Sequence, residues 1–108
     1  MDTLQELIRS TLEFYARFDV QPQLESAVRV FREEVDELIE AAALGTDPAH
    51  IAEEAADVMV TAIGICLSRG VDPAALIEQA QKVVIKNDRK THETHAVNEQ
   101  GKIARRTD

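Results

Sequence analysis

The sequence has a single cysteine, Cys66, so it cannot close an internal disulfide. A chain of this size without a bridge framework fits a reducing compartment, and the cytosol is the expectation. A long apolar run is also missing. The longest nearly apolar stretch, residues 55–67, is 13 residues and contains Asp57, short of the roughly 20 that a membrane span needs. The first residues, Met1-Asp2-Thr3-Leu4-Gln5-Glu6, carry acids where a secretory signal would carry a basic region and an apolar core. Neither a membrane nor export is therefore expected. Basic residues are scarce as well: 12 Lys and Arg stand against 20 Asp and Glu, a net charge of −8, which argues against nucleic acid as a general partner. Internal repeats and low-complexity blocks are absent too. With 108 residues, 44% of them apolar and 30% charged, the chain reads as one globular domain, 1–108, rather than several or a disordered one.

Helical periodicity fills most of this length. Leu4, Leu7, Ile8, Phe14, Tyr15 and Phe18 recur at helical spacing with no Gly or Pro before Pro22, which predicts a first helix over about 3–18. Leu24, Val28, Phe31, Val35, Leu38 and Ala42 form the stripe of a second helix from near Gln23, closed by Gly45 as a left-handed terminal residue. Asp47-Pro48 and Asp72-Pro73 each place an N-cap before a first-turn proline. They predict a third helix over about 48–69 and a fourth from about 73 to the neighbourhood of Lys90. Short connections make neighbouring helices antiparallel. The fold class is thus all-α, four antiparallel helices, and residues 91–108 form a short irregular tail or a small hairpin around Asn98 to Ile103. The third helix is apolar nearly all round, so a second subunit is expected to cover Ile63, Leu67 and their neighbours in a homodimer or homotetramer.

The charge is divided along the chain. Residues 1–80 hold sixteen acids and five bases, residues 81–108 four acids and seven bases, and residues 33–57 alone hold nine acids with no Lys or Arg. Within that window Glu34 and Glu37 interrupt a second-helix stripe, Ala27, Val30, Ala41, that is otherwise apolar, and their i,i+3 spacing puts them on one face. The third helix repeats the device with Glu54 and Asp57. Antiparallel helices then bring four carboxylates toward one another, and without a counter-charge such a cluster repels itself. A divalent cation resolves this. All-oxygen ligands suit Mg²⁺, or Mn²⁺, rather than structural zinc. Glu33 and Glu53 lie one residue further round and stand as exposed residues, as supports that orient the ligands, or as a general base. A solvated acidic face is the plain alternative for Glu33 to Glu40 taken alone. Asp57 weighs against it, since an unpaired carboxylate in the most apolar segment is costly.

Glu33-Glu34-Val35-Asp36-Glu37 followed by Glu53-Glu54-Ala55-Ala56-Asp57 resembles the EExxE and EExxD signature of the all-α nucleoside triphosphate pyrophosphatases. That superfamily includes MazG-type enzymes, phosphoribosyl-ATP pyrophosphohydrolases and dimeric dUTPases, and the resemblance covers about residues 1–90. It implies Mg²⁺-dependent hydrolysis of a nucleotide's phosphate chain, with Glu34, Glu37, Glu54 and Asp57 as ligands and an oligomer of helical bundles. Lys86-Asn87-Asp88-Arg89 is similar to a KNxxR-like segment after the last long helix of the superfamily. Lys86 and Arg89, then Lys82 and Lys90, become phosphate contacts on this resemblance, and Asn87 a contact to the base. The plain alternative is a set of cations at a helix C-terminus.

The implied reaction is in-line attack of water on the α-phosphorus, the proton passing to Glu34 or Glu33, with a nucleoside monophosphate and pyrophosphate as products. The expected substrate is a (deoxy)nucleoside triphosphate, with phosphoribosyl-ATP next. A non-enzymatic acidic helical module that docks a basic partner is the reading from another class. Phe14 and Tyr15 are suited to stack on a base but are expected first in the core. His92 and His95 are expected in a solvated tail, and His50 lacks the second Glu-x-x-His motif of a di-iron bundle.

Overall fold

The computed structural model describes residues 2–107. Along the chain run α1 (Thr3–Arg17), α2 (Leu24–Leu44), α3 (Pro48–Ser68), α4 (Pro73–Asp88), β1 (His95–Val97) and β2 (Ile103–Arg105). All four expected helices are present, because their ends are written in local chemistry. Asp2 and Gln5 form a capping box on α1. Asp47 accepts a hydrogen bond from the Ala49 N–H at 3.4 Å and Asp72 one from the Ala74 N–H at 3.1 Å, with Pro48 and Pro73 following. At the other end of α2, Gly45 takes φ 65°, and the Thr46 N–H donates to the Ala41 carbonyl at 3.2 Å, closing the last turn as a left-handed terminus does. The same device ends α1 without a glycine. Asp19 stands at φ 54°, and the Val20 N–H donates to the Tyr15 carbonyl at 2.8 Å. Asp is one of the few residues that tolerate this region.

The described residues fall into two compact units, one ending at Leu76 and one beginning at Ile77. In the first, α2 and α3 form an antiparallel helical hairpin and α1 packs on α3. Gly64 permits that second packing: a Cβ there would lie 2.5 Å from the Tyr15 hydroxyl oxygen. Ile8, Ala41 and Ile63 are the buried apolar side chains, joined by Thr11 and Thr61. Both threonine hydroxyls are satisfied within their own helices, donating to the carbonyls of Leu7 and Val58. Ile63 is only 4% exposed within the single chain, which corrects the expectation that it faces a second subunit. Met59, one turn earlier and 58% exposed, is the large apolar side chain of α3 left open.

In the second unit the C-terminal residues take the hairpin form of the two alternatives. β1 and β2 are antiparallel, with His95 opposite Arg105 and Val97 opposite Ile103. Asn98 locks the turn by accepting from the N–H groups of Gln100 and Lys102 at 3.0 and 2.9 Å, and Gly101 supplies φ 81°. The helix before it, α4, has no buried residue. Among the described residues no helix is long and apolar enough to cross a membrane.

Candidate metal centre

Antiparallel pairing of α2 and α3 carries the two acidic pairs to the same place. One carboxylate oxygen each from Glu34, Glu54 and Asp57 lie within 4.8 Å of one another. Glu37 adjoins the group, its carboxylate acting on both Glu34 and Glu54. The four therefore crowd one patch of the groove between two helices. Asp57 is open to solvent, whereas the Glu54 side chain is only 12% exposed.

The electrostatics follow from that crowding. Burial first, then the Glu37 carboxylate, then Asp57 and Glu54 hold the Glu34 carboxyl above its ordinary range. Burial and Glu37 also raise Glu54, with His50 acting in the opposite sense from 3.7 Å. Each shift says that the site resists carrying its full negative charge. The Oε2 atoms of Glu34 and Glu54 are buried and have no hydrogen-bond partner. Unpaired carboxylate oxygens at a crowded anionic site are costly, and a hard cation that takes oxygen ligands is the group that satisfies them. The residues present fit a divalent metal ion such as Mg²⁺.

Glu33 and Glu53 do not join this cluster. Glu33 is exposed on another side of α2, over a shallow recess shared with Arg29, Arg32 and Asp36. Glu53 is exposed as well. In the second unit, Lys82, Lys86 and Arg89 line one recess of about 360 Å³, with Lys82 also 3.5 Å from Glu78. Asn87 and Lys90 line a different one, of about 630 Å³, with His92, His95, Val97 and Ile103. The five residues of the expected basic site thus divide between two faces. Helical geometry is the reason: residues 82, 86 and 89 share a stripe that residue 87 leaves.

Two features carried little signal in the sequence. His50 sits one turn before Glu54 and faces it, a relation its i,i+4 spacing shows only once Glu54 is placed inward. A neutral cavity lies further along the α2/α3 groove, lined in part by Gln21 and Gln23, which belong to no motif.

The family described as phosphoribosyl-ATP pyrophosphohydrolase matches residues 2–83. That span takes in α1, α2, α3 and most of α4, including all four clustered carboxylates. Among curated proteins and among solved structures no significant match is found.

Proposed function

The chain belongs to the phosphoribosyl-ATP pyrophosphohydrolase family, within the all-α nucleoside triphosphate pyrophosphatase superfamily, and from that premise we propose that it cleaves the α–β anhydride of a nucleotide and releases pyrophosphate with the help of Mg²⁺. The activity class, hydrolysis of a phosphoric anhydride, comes with the family. The observation that carries the metal-dependent reading is the pair of buried, partnerless Oε2 atoms on Glu34 and Glu54.

Glu34, Glu37, Glu54 and Asp57 are the residues that would hold the ion. Bound there, Mg²⁺ supplies positive charge against the phosphate oxygens and acidifies water. Water adds to the α-phosphorus as the bond to the bridging oxygen breaks, and its proton passes to a carboxylate of the cluster. Glu34, at the centre of the cluster, is the carboxylate assigned that role. Glu33, turned to another face of α2, is the weaker candidate. The cationic stripe of Lys82, Lys86 and Arg89 is suited by charge and spacing to phosphate oxygens.

Phosphoribosyl-ATP, the substrate that the family's description names, is the first reading for this chain. A (deoxy)nucleoside triphosphate is the second. Measuring pyrophosphate released from phosphoribosyl-ATP and from each nucleoside triphosphate, with and without Mg²⁺, separates the two. Asp57→Asn should abolish release while helical content stays unchanged; full activity in that variant would overturn the reading.

The working form is proposed to be at least a homodimer. Fifteen large apolar side chains, among them Phe18, Ile39, Leu44 and Met59, are at least 36% exposed in one chain, apolar surface that a second copy would cover. Light scattering should give a mass of two or more 12.0 kDa chains, and a monomer at micromolar concentration would refute it.

A further inference from the structure

The α2/α3 groove continues past the carboxylates. Val30 lies one turn before Glu34 on α2, and Thr61 lies one turn after Asp57 on antiparallel α3, so the same groove reaches both about 5.4 Å further along. There it opens into a cavity of about 310 Å³, closed on its other sides by Phe14 and Tyr15 of α1 and by the connection to α2. That connection is folded back by the left-handed Asp19 and by the bond from the Val20 N–H to the Tyr15 carbonyl. Residues 20–23 consequently line the same cavity as the two rings, Gln21 and Gln23 among them.

The lining contains no charged residue, although 30% of the chain is charged and four carboxylates stand one turn away. An ion entering this cavity would find no counter-charge. Aromatic rings for a flat face and carboxamides for a polar edge are offered instead, and each carboxamide can both donate and accept. Among the described residues neither Gln21 nor Gln23 uses its side chain in a hydrogen bond within the chain. The volume is at the low end for a ligand pocket, enough for one heterocycle and not for a whole nucleotide.

We propose that this cavity is the nucleobase subsite of the same active site, with Phe14 and Tyr15 against the base and Gln21 and Gln23 reading its edge, while the sugar and phosphates lead back along the groove to the carboxylates. This rests on the nucleotide reading above and moves base recognition from Asn87 to the connection between α1 and α2. Selectivity among bases is then set by two exposed glutamines, not by the metal centre.

The chain has one tyrosine and no tryptophan, so its intrinsic emission reports on Tyr15 alone. The full-length protein is titrated, with Mg²⁺ present, with each of the common nucleoside monophosphates and with inorganic phosphate, correcting emission for nucleotide absorbance. Monophosphates of the preferred base should quench saturably, inorganic phosphate should not, and Gln21→Ala and Gln23→Ala should each raise the midpoint at least tenfold. Equal response to every base, no response, or glutamine variants that titrate like the parent would overturn the proposal. Phe14→Leu should weaken quenching at unchanged mass by light scattering. A changed mass would make this wall a subunit contact and overturn it as well. Pyrophosphate release without quenching removes the subsite and leaves the hydrolase, whereas base-selective quenching without release does the reverse.

Discussion

Glu34→Gln should make the metal-free protein more stable and the enzyme inactive. The change keeps shape and removes one charge from a group whose oxygens lie within 4.8 Å of one another. At that separation a single like-charge pair costs about 3.5 kcal/mol at an effective dielectric of about 20. Solvent at the open side and the ability of Glu34 to take up a proton reduce this, so a net gain of about 1 kcal/mol is expected. For a domain of this size, that is a rise in Tm of roughly 4 to 8 °C. The pH dependence has a defined sign. Glu34 and Glu54 have raised affinities for a proton in the folded state. Their contribution to stability is therefore complete below the ordinary glutamate range and is lost as the pH rises through the raised values. In chelator, the parent should melt lower at neutral pH than in mild acid, and the Gln variant should lose less between the two. Adding Mg²⁺ should raise the parent's Tm, by about 2.7 kcal/mol of stability at a hundredfold excess over Kd, and should raise the variant's less. Thermal melts followed by circular dichroism in chelator and in Mg²⁺ test all of this. Identical melting of parent and variant in chelator, with no response to Mg²⁺ in either, would refute the argument and favour a solvated acidic face.

Arg89→Ala and Lys86→Ala should raise KM for the nucleotide roughly tenfold each, the loss of one charge-assisted contact, with helicity unchanged in circular dichroism; unaltered steady-state kinetics in both would remove the cationic stripe from the site. Gly64→Val should cost about 1 to 3 kcal/mol in urea denaturation, because its side chain enters the space of the Tyr15 hydroxyl, and a neutral result would mean that α1 shifts freely on α3. Asp19→Gly should stabilise by up to about 1 kcal/mol in the same assay by relieving the left-handed backbone at φ 54°.

Helix ends were legible because caps, first-turn prolines and terminal glycines act over four or five residues. Asp47-Pro48, Asp72-Pro73 and Gly45 all do in the structure what their types suggest. The end of α1 was less so: Asp19 takes the place of a glycine there, and an aspartate in sequence does not announce a left-handed residue. The clustered carboxylates were legible from the i,i+3 spacing repeated on two helices. The side chain beside them was not, since adjacent residues on a helix differ in facing by about 100°, and this separates exposed Glu33 from half-buried Glu34. The basic segment was legible only as a set of cations near the end of α4; that Lys82, Lys86 and Arg89 line one recess and Asn87 and Lys90 another depends on the helical turn and on the hairpin that follows.

The sequence by itself determined the helices, their order and which carboxylates could share a face, because each is a relation between residues within a turn or two. Only the tertiary structure decided that the α2 and α3 pairs meet, that Ile63 is spent inside the chain, and that Gln21 and Gln23 close a neutral cavity beside an anionic cluster. Those facts depend on the register between helices and on the path of a connection, which no local periodicity encodes.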